Sequence, residues 1–224
     1  MPSTGIADML TPMSIVRTKI CGITRAEDAQ VAIAHGAHAL GFVFAPSSPR
    51  ALTREQAAVL VRSLPPFVSK VGLFVDASRE EVLEVAARVG LDTVQLHGDE
   101  DPETCAVVQQ VVPVVKAFRV QGPETVVRMQ SYRECAAAFL LDAYVPGRHG
   151  GTGTRFDWAR AVEAKALGVP VILAGGLDPG NVAEAIRVVR PFAVDVSSGV
   201  ESAPGHKDPR RLHEFLAAVL ACQG

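Results

Sequence analysis

The sequence lacks long apolar runs and any marked excess of charge of one sign. A membrane-spanning helix needs about 18 or more consecutive apolar residues, and no stretch approaches that length, which argues against a membrane partner. The 22 basic and 24 acidic residues leave a net charge of −2. No basic cluster with interleaved aromatic residues is found, so the composition also argues against a nucleic-acid partner.

Cysteine is scarce as well, with four residues in 224. None of them forms a CxxC pair or a metal-ligand spacing, so the sequence predicts no metal site. Scattered cysteines of this kind are typical of reduced thiols in a cytoplasmic protein. Cys105 and Cys222 fall in predicted helices and Cys135 directly precedes a predicted strand, so these three are interpreted as packing residues.

Residues 1–14 contain two prolines and one acidic residue, without a charged start followed by an apolar stretch. This pattern predicts a loose N-terminal tail rather than a signal peptide. Residues 15–224 are predicted to form a single domain, because no linker of disordered composition interrupts them.

Strand-like and helix-like segments alternate along that domain. The predicted strands are nearly continuous in apolar residues, as buried parallel strands are, and they cover Ile15–Ile20, Ala39–Phe44, Val68–Val75, Thr93–Leu96, Val112–Phe118, Ala137–Leu141, Val169–Ala174 and Phe192–Val196. The predicted helices are amphipathic and cover Arg25–Ala34, Arg54–Ser63, Arg79–Arg88, Asp101–Gln110, Glu124–Gln130, Trp158–Ala166, Pro179–Val188 and Pro209–Ala221.

Local helix-start signals support these helices. Thr24, Thr53 and Ser78 each precede a Glu or Gln by three residues, which is the pattern of a capping box. Four prolines are placed near first-turn positions, where proline is tolerated, namely Pro102, Pro123, Pro179 and Pro209.

Eight consecutive β–α units predict an α/β fold of the (β/α)₈ barrel type. The structural alternative is an open doubly wound sheet, which commonly has G-x-G-x-x-G after its first strand. The segment Cys21-Gly22-Ile23-Thr24 does not match that motif.

Ligands of such barrels bind at the carboxyl ends of the strands, and Cys21 lies at the end of the first one. A lone cysteine is more often an inert packing residue, so its role stays open at this point. As a thiolate base it would need a lowered pKa, which Lys19 or a bound substrate would favour. Lys19 shares a strand face with Cys21 and points into the barrel, where Asp195 on the eighth strand is its expected partner.

Other strand ends also bear polar side chains. Gln95 and His97 end the fourth strand, and His97 is the only histidine at a strand end. A nucleophilic cysteine would need an activating histidine and an oxyanion hole, and no third partner is evident. Asp142 ends the apolar sixth strand, where desolvation favours a neutral carboxyl group that suits a general acid.

Small, glycine-bearing turns follow the last two strands. Backbone N–H groups in such turns bind anions, and barrels frequently hold a substrate phosphate there. The turns therefore predict a phosphorylated small-molecule substrate, bound by Gly175, Gly176, Ser198 and Gly199. The glycine-rich segment after Asp142, with Gly151, Thr152 and Gly153, is either a further phosphate contact or a flexible linker.

Arg50 follows the second strand, and its planar fork suits a substrate carboxylate, although an exposed position on the approach to a helix is an equal alternative. Asp76, Asp99 and Arg119 are interpreted as surface or loop residues.

Taken together, these segments resemble the phosphoribosylanthranilate isomerase family of tryptophan biosynthesis. The resemblance extends from Arg17 to the last helix and is carried by many ordered motifs, including Lys19–Thr24, Gly41–Phe44 with Ser48–Arg50, Val71–Val75, Val94–Gly98, Leu141–Asp142, Gly150–Gly153 with Phe156–Trp158, Ala174–Leu177 and Val194–Glu201.

The resemblance implies an Amadori rearrangement of N-(5′-phosphoribosyl)anthranilate. It implies that Asp142 is the general acid that opens the ribose ring and that Cys21 is the general base that removes the C2′ proton. It also implies that Arg50 holds the anthranilate carboxylate. From their positions at strand ends, Lys19, Gln95, His97 and Asp195 are predicted to contribute to the substrate site. No cofactor is expected, because the substrate amine supplies the electron sink.

Two departures from the family pattern are the Thr154-Arg155 pair after Gly-Thr-Gly and the length of the segment before Ile15. Alternatives are a histidine-pathway isomerase, a bifunctional enzyme and a non-catalytic phosphometabolite sensor. The first usually has Asp where this chain has Cys21, and a sensor needs neither an acid nor a base. The chain is expected to be a monomer or a homodimer.

Overall fold

The computed structural model of the protein describes residues 15–120, 122–142 and 158–222, so the predicted tail 1–14 lies outside it. Eight strands alternate with helices along the chain: β1 (Arg17–Cys21), β2 (Ala39–Val43), β3 (Ser69–Phe74), β4 (Thr93–Leu96), β5 (Val114–Arg119), β6 (Ala138–Asp142), β7 (Val171–Ala174) and β8 (Ala193–Val196). They pair in sequential order, and the parallel pairing of β8 with β1 closes the barrel.

The helices surround the barrel as α1 (Ala26–Ala34), α2 (Arg54–Arg62), α3 (Arg79–Val89), α4 (Pro102–Gln109), α5 (Pro123–Met129), α6 (Trp158–Lys165), α7 (Val182–Val189) and α8 (Pro209–Ala221). Short 3₁₀ helices occur at Gln130–Tyr132 and Ser198–Val200. The predicted (β/α)₈ barrel is confirmed. A small antiparallel hairpin of β9 (Glu201–Ala203) and β10 (His206–Lys207), which the sequence did not predict, lies between β8 and α8.

The helix-start predictions hold in part. Thr53 forms a complete capping box with Gln56, and Ser78 accepts from the backbone N–H of Glu81. The capping box at Thr24 was wrong, because its hydroxyl donates to the carbonyl of Gly205. Thr24 thereby ties the start of α1 to the β9–β10 hairpin.

The start of α7 also differs from the prediction. Pro102, Pro123 and Pro209 occupy first-turn positions as expected, but α7 begins at Val182 and not at Pro179. The side chain of Asn181 accepts from the backbone N–H of Asp178 and donates to the carbonyl of Gly176. These two bonds hold a turn where the sequence pattern predicted the first helical residues.

Two apolar layers stabilise the barrel. The larger layer lies between strands and helices and includes Ile20, Phe42 and Phe139. The smaller fills the barrel interior with Val115, Ala117, Ala138, Leu140, Ile172, Ala174 and Ala193. Because side chains alternate along a strand, Asp142 shares the inner face with Leu140, and Asp195 shares it with Ala193.

One buried ion pair lies outside the barrel interior. Lys116 on β5 contacts Glu100 at 2.9 Å, with 1% and 3% of the side chains exposed. The ammonium group also donates to the carbonyls of Leu96 and Gly98. Within the described ranges, no helix combines the length and apolarity that a membrane span requires.

Candidate active site

Cys21 is the last residue of β1 and shares its strand face with Lys19. Lys19 lies opposite Asp195 in the β1–β8 register, and its ammonium contacts the carboxylate at 2.9 Å. Only 6% and 9% of these side chains are exposed, so the predicted pairing is confirmed as a buried ion pair. Burial opposes the charge of Lys19, yet the Asp195 carboxylate and Cys21 raise its pKa above the usual value.

The thiol of Cys21 is accommodated by a glycine on the neighbouring strand. Cys21 pairs with Gly41 in the β1–β2 register, and a Cβ at Gly41 would lie 2.9 Å from Sγ, which is too close for any other residue. A glycine inside a strand often marks such a close approach. A glycine inside the apolar strand β2 was therefore the sequence signal that could have identified Gly41 as the residue packed against Cys21.

The protonation of Cys21 differs from the expectation for a thiolate. Burial raises the pKa of the thiol above its ordinary value, and Asp195 adds to this, while Lys19 and Lys207 act in the opposite direction. Since the ordinary cysteine pKa already lies above neutral pH, this shift favours the neutral thiol. Lys19 acts in the expected direction on the pKa of Cys21, but desolvation outweighs it.

Arg50 reaches the site across Gly22, which has φ +74°. A Cβ at Gly22 would collide with Cδ of Arg50. One edge of the Arg50 guanidinium is already occupied: Nε and one terminal nitrogen donate to the two oxygens of Glu201. The fork predicted for a substrate carboxylate therefore has only its outer edge left for a ligand.

Glu201 and Lys207 are functional candidates that sequence reasoning did not single out. The Lys207 ammonium donates to Glu201 at 2.8 Å and to the backbone carbonyls of Cys21 and Ser197 at 2.5 and 3.2 Å. An acidic residue directly after the glycine turn of β8 was the available signal for Glu201. The sequence contains no comparable signal for Lys207, because its position in the site depends on the two-residue strand β10.

Asp142 forms the far side of the site with His97 and Gln95. His97 Nε2 lies 3.3 Å from the Asp142 carboxylate, and His97 Nδ1 lies 2.8 Å from Gln95 Nε2. His97 thus bridges Gln95 and Asp142 through its two ring nitrogens. The Asp142 side chain is 29% exposed, so it is less buried than its apolar strand suggested.

A cavity of about 320 Å³ adjoins this side of the site. His97 lines it together with Gly98, Asp99 and Arg119. Arg119 pairs with Asp142 in the β5–β6 register. Arg119 is exposed, as interpreted from the sequence, and as the last residue of β5 it lies at the mouth of the barrel.

The turns after β7 and β8 meet at the predicted phosphate end. Gly175 and Gly176 have φ of +78° and +64°, a region that favours glycine. A Cβ at Gly199 would collide with the carbonyl oxygen of Leu177, so glycine allows the two turns to pack together.

The third predicted phosphate segment, with Gly151, Thr152 and Gly153, lies outside the described residues. Of the remaining predicted site residues, Cys21, Lys19 and Asp195 form one cluster and Gln95, His97 and Asp142 form another. Arg50 is connected to the first cluster in three steps: it binds Glu201, Glu201 binds Lys207, and Lys207 donates to the Cys21 carbonyl.

Comparison with known proteins identifies the family of the chain. The family model of N-(5′-phosphoribosyl)anthranilate isomerase matches residues 18–218. A curated relative of that name from Geobacter sp. (strain M21) is 54% identical over 203 residues, covering 91% of this chain and 97% of its own length.

Solved structures give the same result. The phosphoribosyl anthranilate isomerase of Thermotoga maritima superposes with a TM-score of 0.87 at 44% identity, covering 92% of this chain and 99% of its own. Another, solved with reduced 1-(o-carboxyphenylamino)-1-deoxyribulose 5-phosphate, has a TM-score of 0.83 at 42% identity and the same coverage. The chain belongs to the N-(5′-phosphoribosyl)anthranilate isomerase family.

Proposed function

We infer that the protein catalyses the Amadori rearrangement of N-(5′-phosphoribosyl)anthranilate to 1-(2-carboxyphenylamino)-1-deoxyribulose 5-phosphate in tryptophan biosynthesis. The observation that carries this function is the position of a thiol, Cys21, and a carboxyl group, Asp142, at the same end of one barrel. A family match over residues 18–218 supports it.

Asp142 acts first, as the general acid. It protonates the ring oxygen of the ribose, the bond from that oxygen to C1′ breaks, and the anilino nitrogen donates its lone pair to form a protonated Schiff base. His97 Nε2 contacts the Asp142 carboxyl group, and His97 lines the adjoining cavity. His97 therefore orients the carboxyl group and connects it to solvent for return of the proton.

Cys21 then removes the proton from C2′. The electrons of that C–H bond form the C1′=C2′ double bond and neutralise the nitrogen, and the resulting enolamine tautomerises to the ketone. The positive charge of the Schiff base favours the thiolate, and so do Lys19 and Lys207. The substrate amine supplies the electron sink, so this reaction needs no cofactor.

The two ends of the substrate are held by different parts of the barrel mouth. The outer edge of Arg50 binds the anthranilate carboxylate. The N–H groups of the turns with Gly175, Gly176, Ser198 and Gly199 bind the phosphate, for which backbone N–H groups in glycine turns are suited.

The location and assembly of the protein are part of the same proposal. A biosynthetic family and four cysteines that are free in the structure support a cytoplasmic location. We propose a monomer or a homodimer. The Thermotoga maritima protein is described as dimeric in a structure of engineered monomers, and light scattering at several concentrations decides the state of this chain.

The experiment that tests the activity forms phosphoribosylanthranilate in place from anthranilate and an activated phosphoribose donor. Its fluorescence should disappear rapidly when the protein is added, and the Cys21→Ala variant should leave it unchanged. A folded wild-type protein that leaves the fluorescence unchanged would disprove the proposed activity.

A further inference from the structure

A charged cluster behind the site is formed by Arg50, Glu201 and Lys207. Only 20% of Arg50 and 4% of Glu201 are exposed as side chains, and the Lys207 side chain is fully buried. Burying charges of this kind is costly unless each is paired and hydrogen-bonded. The acid–base steps described above do not use Glu201, and they use Lys207 only as a positive charge that favours the Cys21 thiolate.

Glu201 fixes the direction of the Arg50 guanidinium. Arg50 Nε donates to one carboxylate oxygen at 2.8 Å, and a terminal nitrogen donates to the other at 2.5 Å. A bidentate pair fixes the plane of the fork as well as its position. The opposite edge of the guanidinium is thereby held ready for a second carboxylate.

Lys207 connects this pair to the backbone of Cys21. Its ammonium is shared between Glu201 and the carbonyl of Cys21, at 2.8 and 2.5 Å. The backbone N–H of Lys207 donates to Asp28 on α1, at 3.0 Å. Lys207 thus anchors the β9–β10 hairpin through both its backbone N–H and its side-chain ammonium.

The charges of the cluster do not cancel. Two cations share one carboxylate, which leaves one positive charge in excess. Although burial acts in the opposite direction, hydrogen bonds from Arg50 and Lys207 hold the pKa of Glu201 below its usual value. The cluster therefore favours one further anion at the free edge of Arg50, and a substrate carboxylate supplies it.

We propose that Glu201 is a positioning residue that fixes Arg50 for recognition of the substrate carboxylate, and that Lys207 locks this clamp to the strand bearing Cys21. The proposal rests on the proposed function, since it assigns Arg50 to the anthranilate carboxylate. It makes selectivity for a carboxylated aromatic ring depend on a residue that does not touch substrate.

The test compares Glu201→Gln with Glu100→Gln. Glu100 is a matched control, because it is also a buried glutamate paired with a buried lysine, Lys116, but lies outside the barrel interior. Two ligands are used in calorimetry: the reduced product analogue with its 2-carboxyphenyl group, and the same compound with an unsubstituted phenyl group. Turnover of phosphoribosylanthranilate is measured in parallel.

We expect Glu201→Gln to weaken the carboxylated ligand about 10-fold, in line with loss of an oriented charged hydrogen bond, and to leave the phenyl ligand unchanged. KM should rise by about the same factor while kcat stays within about 3-fold, because binding of ground state and transition state is lost equally. Glu100→Gln should lower the melting temperature and leave the ratio of the two affinities unaltered.

Equal weakening of both ligands by Glu201→Gln, or no weakening of either, would overturn the proposal. If this variant does not fold, Glu201→Asp keeps the charge, but its side chain is one methylene shorter and draws the carboxylate away from Arg50. An unaltered ratio of the two affinities in Glu201→Asp would also overturn the proposal. Absence of turnover by a wild-type protein that still discriminates the two ligands would instead refute the proposed function alone.

Discussion

The side chain of Arg50 lies directly over the backbone of Gly22, the residue that follows Cys21. A Cβ at Gly22 would occupy the position of Arg50 Cδ. Gly22 therefore allows the arginine to pass across the end of β1 and reach Glu201. The motif Cys-Gly has a physical reason in this contact, since a larger residue beside Cys21 would displace the arginine.

Gly22→Ala should accordingly affect both stability and substrate binding. The positive φ of Gly22 is +74°, and alanine at such a position costs about 1 kcal/mol or more of unfolding free energy. Displacement of Arg50 should add a rise in KM of about 10-fold, the loss expected for one charge-assisted hydrogen bond. Urea unfolding and steady-state kinetics measure the two effects.

Gly36→Ala is the matched control for Gly22→Ala. Its φ is +92°, and a Cβ there would meet no atom within 4 Å. It should show the same kind of destabilisation with an unaltered KM. A rise in KM in both variants would show that strain, and not contact with Arg50, is responsible.

The acid and the base should be separately essential for turnover. Cys21→Ser and Asp142→Asn should each lower kcat by at least about 10²-fold, as loss of one acid–base group does. Binding of the reduced product analogue should survive, because neither side chain contacts the proposed phosphate or carboxylate groups. Near-normal turnover in either variant would remove that residue from its role.

The activity should depend on pH through the thiol of Cys21. Because burial raises the pKa of Cys21 above its ordinary value, the thiolate fraction of the free enzyme increases with pH throughout the neutral range. The quantity kcat/KM reports ionisations of the free enzyme, of the acid as well as of the base. In the Asp142→Asn variant, where the acid no longer titrates, the residual kcat/KM should therefore rise with pH and level off only above the ordinary cysteine range.

Neighbouring charges should move this acidic limb in opposite directions. Lys207→Met removes a cation that lowers the pKa of Cys21, and should shift the limb to higher pH. Asp195→Asn removes an anion that raises it, and should shift the limb to lower pH. Profiles of kcat/KM for the two substitutions and their parent, all in the Asp142→Asn background and under one set of buffers, check the sign of each shift.

The Lys19–Asp195 pair should show the energetics of a buried ion pair. Removing one partner leaves an uncompensated buried charge and typically costs about 3–5 kcal/mol. Lys19→Met should therefore be strongly destabilising, whereas Lys19→Met with Asp195→Leu should recover much of the loss. Denaturant unfolding of the two single variants and the double variant completes the cycle, and purely additive costs would contradict the pairing.

The site residues that could be predicted from the sequence are those whose positions depend only on strand order. The closed sequential barrel places β8 beside β1, and this adjacency together with the two-residue period of a strand was enough to pair Lys19 with Asp195. Asp142 was likewise accessible as the polar end of an apolar strand. Periodicity and topology are properties of the sequence pattern, so these residues did not require coordinates.

The parts that the sequence could not predict depend on contacts between loops. Glu201 and Lys207 meet through a hairpin whose second strand has two residues, too few for any periodic signal. The occupied edge of Arg50 and the raised pKa of Cys21 depend on burial by segments distant in sequence. Turn geometry also displaced the start of α7, because side-chain bonds of Asn181 replaced the first helical turn.

The phosphate end offers a last prediction that depends on one close contact. Since a Cβ at Gly199 would collide with the carbonyl of Leu177, Gly199→Ala should push apart the turns after β7 and β8 and misalign their N–H groups. Affinity for inorganic phosphate, and KM for the phosphorylated substrate, should worsen about 10-fold or more, the effect of losing one to two charge-assisted hydrogen bonds. Gly180→Ala, on the adjoining loop after β7, is the control, because its Cβ would lie 3.2 Å from the Asp178 carboxylate, a side-chain contact that can relax. Calorimetric titration with phosphate should detect the loss in the first variant only. Unaltered phosphate affinity in a folded Gly199→Ala protein would place the phosphate elsewhere in the barrel mouth.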